Sequence, residues 1–208
     1  MIQRKGRTVV TSTLSELQKD ALKEIGNIGA GHAATALSQL LNTKIGLIEP
    51  RIDVITFGEL TKRVRYGDRP IAALRMEVKG EAPGEIVVLF DREQATGFVG
   101  RFIRRVVGNI TIFDSIAEST LKEFGNIVAG SYLSAIVRLT GVRLEPSMPA
   151  LSYGTIDSAL ADLMTIHPER PVFLVESIFL DNGVTIAGEF VFIPEYGSLP
   201  PLLSVFEI

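Results

Sequence analysis

Asp20-Ala21-Leu22-Lys23-Glu24-Ile25-Gly26-Asn27-Ile28-Gly29-Ala30-Gly31 returns 99 positions later as Ser119-Thr120-Leu121-Lys122-Glu123-Phe124-Gly125-Asn126-Ile127-Val128-Ala129-Gly130. Leu-Lys-Glu, Gly-Asn-Ile and Ala-Gly recur in register. The match continues through Ala36/Ala135 and Leu40/Leu139 to Pro50/Pro149, each Pro 23 positions after its Asn. This is the signature of an internal duplication. Leu14, Leu17, Ala21, Ile25 and Ile28 follow the three-and-four spacing of an apolar helix stripe, as do Ile116, Phe124, Ile127 and Ala135. Each copy is therefore expected on a long helix, about 14–41 and 114–140, the first opened by the capping box Thr13-Leu14-Ser15-Glu16. Asp20, Glu24, Asn27 and Gly31 form a line on the opposite face, and Ser119, Glu123, Asn126 and Gly130 repeat it. Mid-helix glycines cost about 1 kcal/mol each relative to Ala. The expectation is a continuous helix that tolerates them for close packing and partner access.

Working outward, 1–12 reads as a loose arm or edge strand and 44–57 as β-rich, with Pro50 dividing two extended pieces. Residues 58–69 are charged and read as irregular. Strands at 71–78 and 85–90 meet at Pro83-Gly84, and a helix over 92–107 ends at Gly108-Asn109. The second half restates this plan. Asn42 and Gly141 close the two long helices, a strand lies near 142–145, and a short helix lies near 156–164. Strands at 172–180 and 184–193 flank the hairpin turn Asp181-Asn182-Gly183, and a terminal helix is expected near 202–206. The fold class is α/β of the α+β type. It is one pseudo-twofold domain spanning 1–208, made of two repeats at about 13–107 and 112–208. Its sheet is largely antiparallel, with the two signature helices together on the outside.

The 208 residues are 46% hydrophobic, enough for a substantial core. The net charge of -3 and pI near 5.5 speak against binding a phosphate backbone. Arg101, Arg104 and Arg105 read as the solvated face of a helix. With no cysteine and two separated histidines, neither a thiolate site nor a zinc site is expected, and the protein should hold no metal of its own. No apolar run reaches membrane length, so a cytoplasmic protein is expected, with neither membrane nor nucleic acid as partner.

Surface Glu and Asn three apart on one helix usually only solvate it. Two copies favour a function, because exposed positions have few packing constraints to preserve them. A phosphate-binding glycine loop needs a strand before it, and here helix precedes it. His32 is matched by Ser131, so it serves no repeated chemistry and reads as a helix-packing residue. Asp20 is replaced by Ser119, so no paired acids recur. A carboxamide can hold a water in line with phosphorus, and a carboxylate can pair with a lysine. Such a site suits a substrate that brings its own phosphoryl group, divalent cation and lysine, as a phosphorylated response-regulator receiver does.

The pattern Asp/Ser-x-x-x-Glu-x-x-Asn, then 22 residues and Pro, resembles the signature of the CheC, CheX and FliY phosphatases of bacterial and archaeal chemotaxis. It is carried by Asp20, Glu24, Asn27 and Pro50, and by Ser119, Glu123, Asn126 and Pro149. Two intact copies without an added switch domain are most similar to CheC. The resemblance implies hydrolysis of the aspartyl phosphate of CheY, with Asn27 and Asn126 orienting water and Glu24 and Glu123 contacting the receiver lysine. It also implies Mg²⁺ on the receiver alone and the receptor deamidase CheD as a partner. The alternative is a non-catalytic module binding CheY or CheD, or a flagellar-switch component. Asp20, Ser119, Gly31 and Gly130 are candidate partner-binding positions. Extending the stripe gives Ala34 and Ser38 on the first helix but Leu133 and Val137 on the second. Leu133 and Val137 are therefore expected as exposed apolar anchors for a partner.

Overall fold

The structure, a computed structural model, describes residues 15–64, 66–106, 113–161, 163 and 168–203. The expected arm at 1–12, the capping Thr13 and the stop at Gly108-Asn109 lie outside them, as do the side chains of Arg101, Arg104 and Arg105. The elements are α1 (Glu16–Leu41), β1 (Ile45–Thr56), α2 (Phe57–Arg63), β2 (Ile71–Gly80), β3 (Gly84–Asp91), α3 (Arg92–Val106) and α4 (Phe113–Thr140). They continue with β4 (Leu144–Pro146), β5 (Ala150–Gly154), α5 (Ile156–Leu160), β6 (Pro171–Asp181), β7 (Val184–Pro194) and α6 (Leu199–Leu203). One antiparallel sheet runs in the order β1-β6-β7-β3-β2-β4, with β5 also paired to β2.

Period-two alternation divides the sheet residues between two cores. Leu74, Met76, Ile86, Val88, Phe90 and Phe190 pack under α1, α3 and α4. Ala73, Val87, Leu89, Leu174 and Val191 pack under α2 and α5 on the other face. The two signature helices thus lie together on one face, as expected.

Local chemistry accounts for most boundaries. Ser15 caps α1, its hydroxyl accepting from the Gln18 N–H at 3.2 Å while Gln18 returns a bond to the Ser15 N–H at 3.0 Å. The capping box is therefore two residues later than the expected Thr13 start. Asn42 ends α1 in the left-handed conformation at φ 46°. Asn182 and Gly183 make the hairpin turn with φ 48° and 82°. Pro50 sits in a bulge of one strand, where the β1–β6 register shifts between Ile48 and Arg51.

Two expectations are corrected. Residues 57–63 are helical, because Glu59 accepts from both the N–H (2.9 Å) and the hydroxyl (2.8 Å) of Thr56, a capping interaction hidden in a charged stretch. Residues 150–154, for which the sequence sets no element, form the strand β5. The last helix begins at Leu199, with Pro200 and Pro201 inside its first turn.

The face under α2 holds a half-buried acid, Glu189, which accepts a hydrogen bond from the Tyr66 hydroxyl and stands opposite Glu176. Burial, and then the Glu176 charge, push the Glu189 carboxyl up to about 7. Arg69 and Asp91 are the other charges against Tyr66. The folded state therefore holds a proton there that the unfolded chain releases near pH 4.5. Stability is greatest below that pH and falls as pH rises through 7. Chemical denaturation at pH 5 and pH 8 should show a loss on the order of 2 kcal/mol, which Glu189→Gln should largely remove.

Candidate functional site

Both copies of the phrase lie within unbroken helices, α1 and α4. A Cβ added at Gly29 would sit 2.3 Å from the Tyr132 ring and 3.0 Å from its Cα, so α4 rests directly on the α1 backbone there. Leu22 and Ile25 of α1 line one apolar gap with Ile136 of α4, which makes the two helices antiparallel. At 100° per residue, Asn27 points about 160° away from Gly29, and Asn126 about 120° away from Tyr132. The two asparagines therefore occupy opposite outer flanks of the helix pair.

On each flank the hydrogen-bonding groups are available. Glu24, Asn27, Glu123 and Asn126 are exposed, and the side chain of none makes a hydrogen bond or ion pair with a described residue. Asp20 is held by Lys23 at 3.4 Å on the surface, whereas the Ser119 hydroxyl turns back to donate to the Ser115 carbonyl at 2.9 Å. Gly31 and Gly130 are half-buried, with open space where a Cβ would stand. Gly26 and Gly125 differ, since a Cβ would come within 2.4 Å of Ile52 and 2.7 Å of Leu74.

The spacing from Asn to Pro has a geometric meaning. Fourteen residues of helix from Asn27 to Leu41 rise about 21 Å, and β1 recovers that in about six residues. The contact between Gly26 and Ile52 marks this return, and Pro50, two strand residues short of Ile52, stands about one helical turn beyond Asn27. On the other flank Gly125 meets Leu74, which pairs with Leu151, so Pro149 returns about one helical turn beyond Asn126. Both prolines lie on edge strands where the ladder breaks, at the β1 bulge and between β4 and β5. A residue without an N–H fits such a break.

Four sequence expectations are corrected here. Leu133 is 4% exposed and belongs to the main core, so it is not a surface anchor, and Ala34 in the matching place is 8% exposed. Val137 is only half-buried. Each helix is wedged between the sheet and the other helix, and the chain returning in β1 or β4–β5 covers the stripe beyond the glycine. The buried arc of α1 runs through Leu22, Ile25, Gly29, Ala33 and Leu37, leaving the expected stripe member Leu17 53% exposed. His32 is exposed rather than packed, because Gly29 and Ala33 take the contact with α4.

A cavity of about 1330 Å³ between the first turn of α1 and α2 opens beside Ser15, the first described residue, and contains neither asparagine. Among the described residues no cluster of three metal-ligating side chains occurs, and no helix is long and apolar enough to cross a membrane.

This arrangement of sheet and helix pair is the fold of chemotaxis and flagellar-switch proteins. It matches Thermotoga maritima FliY with a TM-score of 0.72 and 22% identity, over 93% of this chain and 98% of that one. The FliM middle domain of Helicobacter pylori matches with a TM-score of 0.70 and 13% identity, over 92% and 99%. The chain belongs to the CheC-like family, whose match covers residues 17–47 and 116–153, each containing one copy of the phrase. It is 33% identical to the CheY-P phosphatase CheC of Bacillus subtilis over 199 residues, 91% of this chain and 93% of that protein. It is 55% identical to the flagellar motor switch phosphatase FliY of the same organism over 42 residues, 20% of this chain and 11% of that one.

The two kinds of glycine should separate in stability. Gly29→Ala must displace Tyr132 and should cost roughly 1–3 kcal/mol, whereas Gly31→Ala should gain up to about 1 kcal/mol. Leu133→Asp should lower stability by roughly 3 kcal/mol or more, as a charge buried in the core without a partner does. Thermal melting of the three variants checks this.

Proposed function

We propose that the protein hydrolyses the aspartyl phosphate of the response regulator CheY, using either flank. The observation that carries this is the pair of rigidly mounted, unpartnered Asn carboxamides, each one helical turn from an exposed Glu. Identity over nearly the whole chain to a CheY-P phosphatase supports it. The helix docks beside the phosphorylated receiver, and the Glu24 or Glu123 carboxylate pairs with the receiver's active-site lysine. The carboxamide of Asn27 or Asn126 holds a water in line with the phosphorus. The water oxygen bonds to phosphorus as the bond to the aspartyl oxygen breaks, giving the free carboxylate and inorganic phosphate. The chain supplies orientation, which can lower a barrier by several kcal/mol, and the receiver supplies its Mg²⁺ and lysine.

In this reading Asp20, Ser119, Gly31 and Gly130 border the docking surface, and CheD is a further partner. The protein acts in the cytoplasm as one duplicated domain. The likeness to FliM favours a second reading, a switch component that binds without catalysis. Phosphate release from phosphorylated CheY decides between them.

Asn27→Ala combined with Asn126→Ala should abolish stimulated release, while melting and circular dichroism stay unchanged because both side chains are exposed. Each single variant should keep activity. Undiminished release by the folded double variant would overturn the water-orienting role. Purified protein treated with chelator and desalted should retain full activity once Mg²⁺ is supplied with the receiver.

A further inference from the structure

We propose that Met148 is the apolar anchor that seats the receiver at the second site, and that the first site, with Glu49 in the matching position, lacks it. This rests on the phosphatase reading above and specifies how one of its two sites takes the partner. Met148 is 91% exposed, the most exposed large apolar side chain among the described residues. Its backbone is held on both sides. The Ser147 N–H donates to the Glu77 carbonyl at 2.7 Å, the Glu77 N–H donates to the Ser147 hydroxyl at 3.0 Å, and that hydroxyl donates to the Met148 carbonyl at 3.2 Å. Pro149 follows and confines Met148 to extended backbone. The side chain is thus presented to solvent from a fixed main chain, so little conformational freedom of the backbone is lost when a partner covers it.

Its position gives the reason to connect it with the site. Leu151 stands level with Gly125. Ser147 meets β2 at Glu77 and Leu151 meets it at Leu74, so Met148 between them stands two to three β2 residues, about 8 Å, beyond Leu151, or five to six residues of helix, level with Gly130 and Ser131. Gly130 is the residue with open space above its backbone, one turn beyond Asn126. A receiver placing its phosphoryl group at Asn126 and its surface against Gly130 meets Met148 at its side, on the order of one helix width away. The occupant this implies presents an apolar recess near its phosphorylated aspartate. Around the first site the same break in the edge strand carries exposed Glu49 and Arg51 instead, so the two flanks differ in the chemistry beside an identical Glu-Asn pair.

The test isolates each flank with an Asn variant of the other. In the full-length Asn27→Ala protein, adding Met148→Glu should raise KM for phosphorylated CheY about tenfold, the factor expected for losing one buried apolar side chain, with kcat unchanged. Affinity for CheY loaded with beryllofluoride should fall by a similar factor, and melting should not change. In the Asn126→Ala protein, Glu49→Met should lower KM several-fold. Unchanged KM and affinity on Met148→Glu would overturn the anchor, as would an Asn27→Ala protein that binds no receiver. A change in self-association or CheD binding with receiver affinity intact would assign the residue to another partner and also overturn it. The phosphatase reading fails separately, through undiminished turnover by the double Asn variant.

Discussion

The structure depends on the contact of Tyr132 with the bare backbone at Gly29. The Tyr132 ring lies where a Cβ on residue 29 would be, stacks on Phe190 at 4.4 Å, and shares a 2.7 Å hydrogen bond with Ser177. One side chain on α4 therefore reaches α1, β6 and β7 together. Its burial pushes the phenol up to about 12, so the hydroxyl keeps its proton at any physiological pH. The matching residues are Ala33 and Val128, so the contact is made once, by one glycine and one tyrosine, although the phrases around them match.

That contact also aims the sites. With the helices antiparallel and in touch along the Gly29 line, the Glu-Asn faces turn outward and away from each other. Two partners could then engage without sharing surface. Each flank is completed by its own returning edge strand, but those strands pair crosswise, β1 with β6 and β5 with β2. The strand beside Asn27 is thus held by the hairpin of the second copy, and the strand beside Asn126 by the hairpin of the first. Neither half can position its own edge strand alone.

Helix span, helix stops and the second hairpin were legible because their signals are local. Asn42, Gly141 and Asn182-Gly183 all adopt the left-handed backbone their residue types favour. The motif was legible because it occurs twice. What periodicity could not give was the width of the buried arc. A spacing of three and four fixes which residues share a face, but whether Leu133 on the Asn126 face meets water depends on the strand that returns over it. That is a tertiary fact, invisible along the helix. The same limit explains Leu17 and His32, one apolar and exposed, the other polar and outside the helix contact. Met148 was missed for the converse reason, since a lone apolar residue between prolines carries no period at all.

The glycines of the phrase divide into those packed against neighbours and those open to the surface. Gly26, Gly29 and Gly125 are crowded by neighbours within 2.7 Å of a Cβ position. Gly31 and Gly130 are not, for nothing lies within 4 Å. Each forgoes up to about 1 kcal/mol of helix stability, a sizeable share of the 5–15 kcal/mol that holds a typical domain folded. Backbone strain does not explain them, because both lie inside regular helix. Their common property is a place one turn beyond an exposed Asn, beside the break in an edge strand. A missing side chain there lets another surface come to within contact of the helix backbone, which is what a short carboxamide needs if it is to reach a group recessed in a partner. Under the reading proposed above, a longer residue at position 31 or 130 would hold the receiver off by the width of its own side chain, and the Asn would then fall short.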